Sequence, residues 1–111
     1  MANTFTRKLS RGIGTTATNV GTYTVGANTT AVIVGLTVTN TSGSAITANV
    51  YINDVSTANT YIVANAPISS GASLIPVGGD QKVVLITGDK VYVQSSASSS
   101  IDTILSIMEI T

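Results

Sequence analysis

A chain of 111 residues makes one domain, whose single core buries roughly two-thirds of the extended-chain surface without help from metals or disulfides. It contains no cysteine and no histidine, which removes a disulfide framework, thiolate chemistry, an imidazole base, Ser-His pairing and the commonest zinc ligand. Charged residues make up 9% of the chain against an average of roughly 25%. Hydrophobic residues reach 43% at a formal net charge of +0, so the polar surface has to be built mostly from Thr, Ser, Asn and Gly. An uncharged free monomer tends to self-associate, and the composition suits a subunit covered by neighbours, in an oligomer or an assembled particle.

The zero conceals an asymmetry. Residues 1–53 carry Arg7, Lys8 and Arg11 with no acid, and residues 54–111 carry Lys82 and Lys90 against Asp54, Asp80, Asp89, Asp102 and Glu109. A basic amino-terminal segment beside an acidic body docks head to tail on a like subunit or on an acidic partner, or else is a solvated tail. Three cations are too few for a nucleic-acid footprint. The longest apolar stretch, residues 31–36, falls far short of the ~20 needed to span a membrane. The opening MANTFTRKLSRG is basic but has no apolar run behind it, so it does not read as a secretory signal. Synthesis and assembly in cytoplasm are expected.

Residues 1–19 read as an extended basic arm, since Phe5 and Leu9 stand isolated and Gly12, Gly14 and the Thr/Asn run show no periodicity. Residues 20–111 read as a β-sandwich domain, with short β-branched runs between Gly, Asn, Ser and Pro clusters. In the strand 30–40, Val32, Val34, Leu36 and Val38 fall on one face, with Ile33, Gly35 and threonines alternating against them or flanking them. Thr41-Ser42-Gly43-Ser44 turns the chain into a strand over 46–53, with Ile46, Ala48, Val50 and Ile52 inward and Thr47, Asn49, Tyr51 and Asn53 outward. These two strands are expected to form a hairpin.

Asn53-Asp54 opens the next turn. A strand over 60–64 follows, ended by Pro67 and Ser69-Ser70-Gly71. The strand 73–77 carries Pro76, which places it at an edge. Gly78-Gly79-Asp80 and Thr87-Gly88-Asp89 are turns around a strand at 82–86, and 90–94 is a strand before the small-residue loop 95–100. In the last segment, 101–110, Ile101, Leu105 and Ile107 share one face and Ile104, Met108 and Ile110 the other. A strand apolar on both sides lies between two layers or has one face covered by a partner. Helix competes there, but Asp102, Ser106 and the abundance of Ile favour strand. The fold class is all-β: a single antiparallel sandwich, jelly-roll or immunoglobulin-like, of about eight strands.

Enzyme chemistry has little to stand on, because the carboxylates sit mostly at turns or strand ends. No cofactor is expected. Asp54, Asp80 and Asp89 lack the alternate spacing of a calcium loop, and the glycines at 12, 14, 78 and 79 precede no helix that would hold a phosphate. Tyr51 and Tyr61 flank one loop and make either an exposed platform for sugar or protein, or a partly buried cross-strand pair.

Several stretches carry a resemblance: Thr4-Phe5-Thr6-Arg7-Lys8, residues 32–40, Val50-Tyr51-Ile52-Asn53-Asp54, the turn 77–82 and the close Leu105-Ser106-Ile107-Met108-Glu109-Ile110-Thr111. Across essentially its whole length the chain resembles the small β-sandwich virion proteins of tailed bacteriophages, especially those of marine and cyanobacterial hosts. None of these motifs is chemically diagnostic. The resemblance implies a capsid decoration (cement) subunit on the virion surface, binding the major capsid protein. Head-neck, tail and fibre subunits are alternatives. A trimeric cement protein would bury Ile104, Met108 and Ile110 near a symmetry axis and lay Phe5, Arg7, Lys8, Leu9 and Arg11 on shell protein. A receptor- or carbohydrate-binding module using Tyr51 and Tyr61 is the reading from another class.

Overall fold

In the computed structural model, residues 3–56, 58–78 and 82–111 are described. They form nine strands: β1 (Asn3–Ile13), β2 (Thr18–Asn19), β3 (Thr30–Asn40), β4 (Ile46–Asn53), β5 (Asn59–Ile68), β6 (Ser73–Val77), β7 (Val83–Leu85), β8 (Lys90–Ser95) and β9 (Ile101–Ile110). A 3-10 turn spans Val20–Thr22. One sheet runs β1-β9-β3-β6, with β7 also on β3, and the other runs β2-β8-β4-β5. β6 and β7 take successive stretches of the same strand, pairing with Leu36–Thr39 and Ala31–Ile33, so they act as one interrupted edge strand. Two four-stranded sheets in this order, with the chain crossing repeatedly between them, make a jelly roll. That decides between the two sandwich types.

The core lies between the sheets. Ile33, Leu36, Val38, Ile101, Leu105 and Ile107 from one layer meet Val50, Val91 and Val93 from the other, all essentially without solvent contact. Inward and outward residues alternate along each strand because successive side chains point to opposite faces. The bounds of β3, β4, β6 and β9 are those expected from the period-2 runs.

The structure corrects four expectations. β3 and β4 do not form a hairpin, since β3 pairs with β9, β6 and β7 while β4 pairs with β5 and β8. The turn between them carries the chain from one sheet to the other, and buried Asn40 holds that crossing. Its Nδ2 donates to the carbonyls of Ser44 (2.8 Å) and Ile68 (3.0 Å), and its Oδ1 accepts from the Ser42 amide (2.9 Å) and hydroxyl (2.7 Å). With all its hydrogen-bonding capacity used, burial of this amide carries no desolvation penalty left unmet. The hairpin is instead β4–β5, around the Asp54 turn.

Second, Val32 and Val34 point out while Ile33 is buried. The pairing of β3 with β9 slips between Ile33 and Gly35, and one extra residue reverses the inside-outside alternation. Third, β5 does not stop before Pro67 but runs to Ile68. Proline is tolerated because β5 is an edge strand bonded on one side to β4. Fourth, the segment expected as an arm is extended but docked, as β1, along β9. Smaller differences are a shorter β7 in place of 82–86 and a β8 that reaches Ser95. The Thr87-Gly88-Asp89 turn forms as expected, with Gly88 at φ 91°. Of the Gly78-Gly79-Asp80 turn, Gly79 and Asp80 lie outside the described residues.

The slip in β3 can be tested by paired substitutions. Ile33→Asp buries an unpaired carboxylate and should cost more than about 4 kcal/mol. Val34→Asp should cost less than about 1 kcal/mol. Urea unfolding followed by circular dichroism measures both, and a reversed ranking would restore the uninterrupted alternation.

Candidate functional site: the outer apolar face of the β1-β9-β3 sheet

β9 has apolar residues on both faces. Ile101, Leu105 and Ile107 enter the core, whereas Ile104 stands 49% exposed and Met108 and Ile110 are half-buried on the outer side. Neighbouring strands extend this outer face. Directly opposite residues of an antiparallel pair share a face, and Phe5 lies opposite Met108, Met108 opposite Val32, and Val32 opposite Val84. A single apolar row therefore crosses β1, β9, β3 and β7. Its ends, Phe5 and Val84, are 74% and 60% exposed. A second row places Leu9 opposite Ile104, with Thr37 on the far side. Exposed Ile75 and Ile86 stand nearby on β6 and just after β7.

The two groups of residues picked from sequence, on the amino-terminal segment and on the last strand, are thus one surface. Phe5, Arg7, Leu9 and Arg11 line up on the exposed side of β1, while Thr6, Lys8 and Ser10 are half-buried beneath. Lys8 is therefore no outward contact. Its ammonium sits 5.3 Å from the centroid of the Tyr23 ring, a cation–π arrangement. Buried Tyr23 in turn donates its hydroxyl to Glu109 Oε2 at 2.8 Å. This Lys8-Tyr23-Glu109 group joins residues far apart in sequence and carries no local signal. A hollow of about 250 Å³ opens at the end of the β1–β9 pair, lined by Leu9, Ser10, Arg11, Asp102, Thr103 and Ile104.

The opposite sheet carries a row of tyrosines. Tyr51 on β4 lies between Tyr61 on β5 and Tyr92 on β8. Its centroid is 5.0 Å from that of Tyr61, tilted by 47°, and 5.5 Å from that of Tyr92, stacked at 4°. Tyr51 is only 8% exposed although it points outward, because its neighbours cover it, whereas Tyr61 is 51% exposed. The two residues do meet, as a cross-strand pair. Their ring surfaces are spent largely on one another, which leaves Tyr61 as the accessible member.

The acids near loops serve their own turns. Asp54 Oδ1 accepts from the Ser56 hydroxyl (2.6 Å) and from the amides of Ser56 (2.9 Å) and Ala58 (3.3 Å). The Ser56 hydroxyl bond leads in holding its carboxyl below the ordinary range. Asp89 Oδ2 accepts from the Ile86 amide at 2.9 Å. Among the described residues no group of three or more acids stands together as a metal site, and no helix is long and apolar enough to cross a membrane.

Two outcomes follow for the tyrosines. Tyr51→Ala removes a buried ring with two aromatic neighbours and should lower stability by about 3 kcal/mol, while Tyr61→Ala should cost about 1 kcal/mol, both read from urea midpoints. Burial, then the Glu109 hydrogen bond and charge, raise the Tyr23 pKa above its usual value, and burial raises that of Tyr51. A group whose folded pKa is raised contributes stability that is present below the unfolded pKa, about 10 for tyrosine, and is lost as pH climbs past it. Urea midpoints should therefore fall above about pH 10, and less steeply in Tyr23→Phe.

No family model matches the sequence, and no curated protein matches it. Among solved structures, a chain from the disulfide-linked pili of Bacillus endospore appendages aligns with a TM-score of 0.54 at 13% identity, covering 100% of this chain and 91% of that one. A chain of the T13 IBDV viral particle aligns at 0.56 and 11% identity, over 96% of this chain and 30% of its own length. A chain of infectious bursal disease virus, Gx strain, aligns at 0.54 and 14%, over 96% and 32%. This chain spans about a third of those viral chains. At such identities the likeness is one of fold, and in fold the chain is similar to a chain of a pilus and to chains of virus particles.

Proposed function

We propose that this chain is a structural subunit of a virion, a decoration (cement) protein that associates with copies of itself and binds the capsid shell. The observation that carries the reading is the apolar row Phe5-Met108-Val32-Val84 on the outer sheet face. Large contiguous apolar surface on a soluble chain marks a contact site. With 9% charged residues and a net charge of +0, little else keeps copies apart. The fold likeness to a virus-particle chain supports the assignment, as does the resemblance to small phage virion proteins. In this reading the chain performs no catalysis and takes no cofactor. Its partners are other copies, as a trimer, and the major capsid protein, and it resides on the virion surface.

A fibre, neck or tail subunit is the second reading, favoured by the end-to-end alignment with a pilus chain. Because this sequence has no cysteine, copies in such a fibre are held by packing or strand pairing and not by disulfides. A carbohydrate platform has less support, since the central tyrosine of its row is covered on both sides.

Sedimentation velocity at micromolar concentration tests the common element. The wild type should run as a discrete oligomer. Ile104→Asp should run as a monomer with stability changed by less than about 1 kcal/mol. A wild type that is a clean monomer overturns the self-association. Co-sedimentation with capsid shells separates a decoration protein from a fibre subunit, which would form filaments on its own.

A further inference from the structure

We infer that β1 is an exchangeable strand: in the assembled state residues 3–11 leave their own β9 and pair, in the same register, with β9 of a second copy of this chain. The inference rests on the self-association proposed above and specifies how copies join.

The amino-terminal segment divides sharply at Gly12. Beyond it the chain is anchored. Ile13 is buried, its carbonyl accepts from the Ser100 amide at 3.0 Å, and the Gly14 carbonyl accepts from the Ser95 amide at 2.9 Å. Before it, no residue from Asn3 to Gly12 is buried. That stretch is held by a regular ladder from Asn3↔Ile110 to Ser10↔Thr103. Three further ties are the Gly21 amide to Ser10 Oγ (2.8 Å), the Gly12 amide to Asp102 Oδ1 (3.0 Å), and Lys8 over Tyr23. Pairing with β9 breaks between Ser10 and Ile13. There Gly12 adopts φ 64°, yet a Cβ at this position would meet nothing within 4 Å. The glycine is needed for its backbone conformation and not for space. Rotating that one residue into the extended region swings residues 3–11 outward as a unit and moves no core side chain. The freed strand reaches about 30 Å.

A second copy is the occupant that the slot selects. The vacated edge of β9 presents Ile104 and Met108 to match Leu9 and Phe5, and Asp102 and Glu109 beside a strand bearing Arg7, Lys8 and Arg11. An identical chain satisfies each of these at the same register. Exchange re-forms between chains every contact broken within one, so the open and closed forms differ only at the hinge and in newly packed surface. Each copy gives one strand and receives one, which closes into a ring or extends as a fibre.

The absence of cysteine allows a direct test. Arg7 and Ser106 are opposite each other and outside the apolar row. Cross-strand neighbours lie within the Cα separation a disulfide accepts. The double variant Arg7→Cys/Ser106→Cys is unfolded, allowed to assemble, oxidised, and its oligomer fraction run on a non-reducing gel. Exchange gives multi-chain bands. It also gives a two-chain band when Arg7→Cys and Ser106→Cys singles are mixed before assembly. Gly12→Val, whose branched side chain disfavours positive φ, should raise the multi-chain share at least twofold in the double-cysteine background. An oligomer fraction closed within single chains overturns exchange while leaving self-association standing. A wild type that sediments as a monomer removes both. Thr4→Cys/Glu109→Cys, also directly opposed and outside the apolar row, repeats the test should the first pair fail to fold.

Discussion

The structure turns on the divided demand made by β9. Its Ile101, Leu105 and Ile107 are required inside the sandwich, and they fix the register of a strand that pairs along nearly its whole length with both β1 and β3. Period-2 geometry then forces Ile104, Met108 and Ile110 to the opposite side, where the described residues supply no second layer. The core of the module and its outer surface are consequently one covalent unit. A change in register would move the inward set out and the outward set in. The jelly roll encloses the inner side of this strand and leaves Ile104 on its outer side 49% exposed.

β1 shows the same division in polar form. Its inner side chains, Thr6, Lys8 and Ser10, lie over the 3-10 turn and Tyr23, and before Gly12 its apolar side chains, Phe5 and Leu9, face away from the core. Up to Gly12, a strand added in this way contributes hydrogen bonds and surface but no buried side chain. Asn40 illustrates the contrary case. Its side chain makes three hydrogen bonds within the β3–β4 crossing and one to Ile68 at the end of β5, so that corner of the sandwich opens only at the expense of a buried polar network.

Local order was legible and long-range order was not. The runs that became β3, β4, β6 and β9 announce themselves through alternation and turn residues, both of which act over a few positions. Whether β3 and β4 share a sheet depends on partners more than sixty residues away for β3, such as Leu105 opposite Leu36, and nothing in the intervening turn states it. The slip at Val34 is hidden because valines at both 32 and 34 fit either face. β1 reads as an arm in the sequence because the usual signal, apolar residues toward the core, is inverted before Gly12, where Phe5 and Leu9 are exposed. The outer-face residues of β9 and of the amino-terminal segment were each visible, but only their pairing makes them one surface. Tyr51 points outward as its position implies, and its burial comes from neighbours on two other strands.

β5 is a different kind of edge from β1. It is the long free edge of the second sheet, yet its pairing with β4 is interrupted twice between Ala48 and Tyr51, and Pro67 sits within it. An irregular backbone lacking one amide is a poor template for a further strand. β1 is unbroken over residues 3–10 and carries no proline. The two sheets thus differ at these edges, one ending on the regular strand β1 and the other on the interrupted strand β5. Edge-to-edge pairing through β5 is disfavoured by the backbone itself.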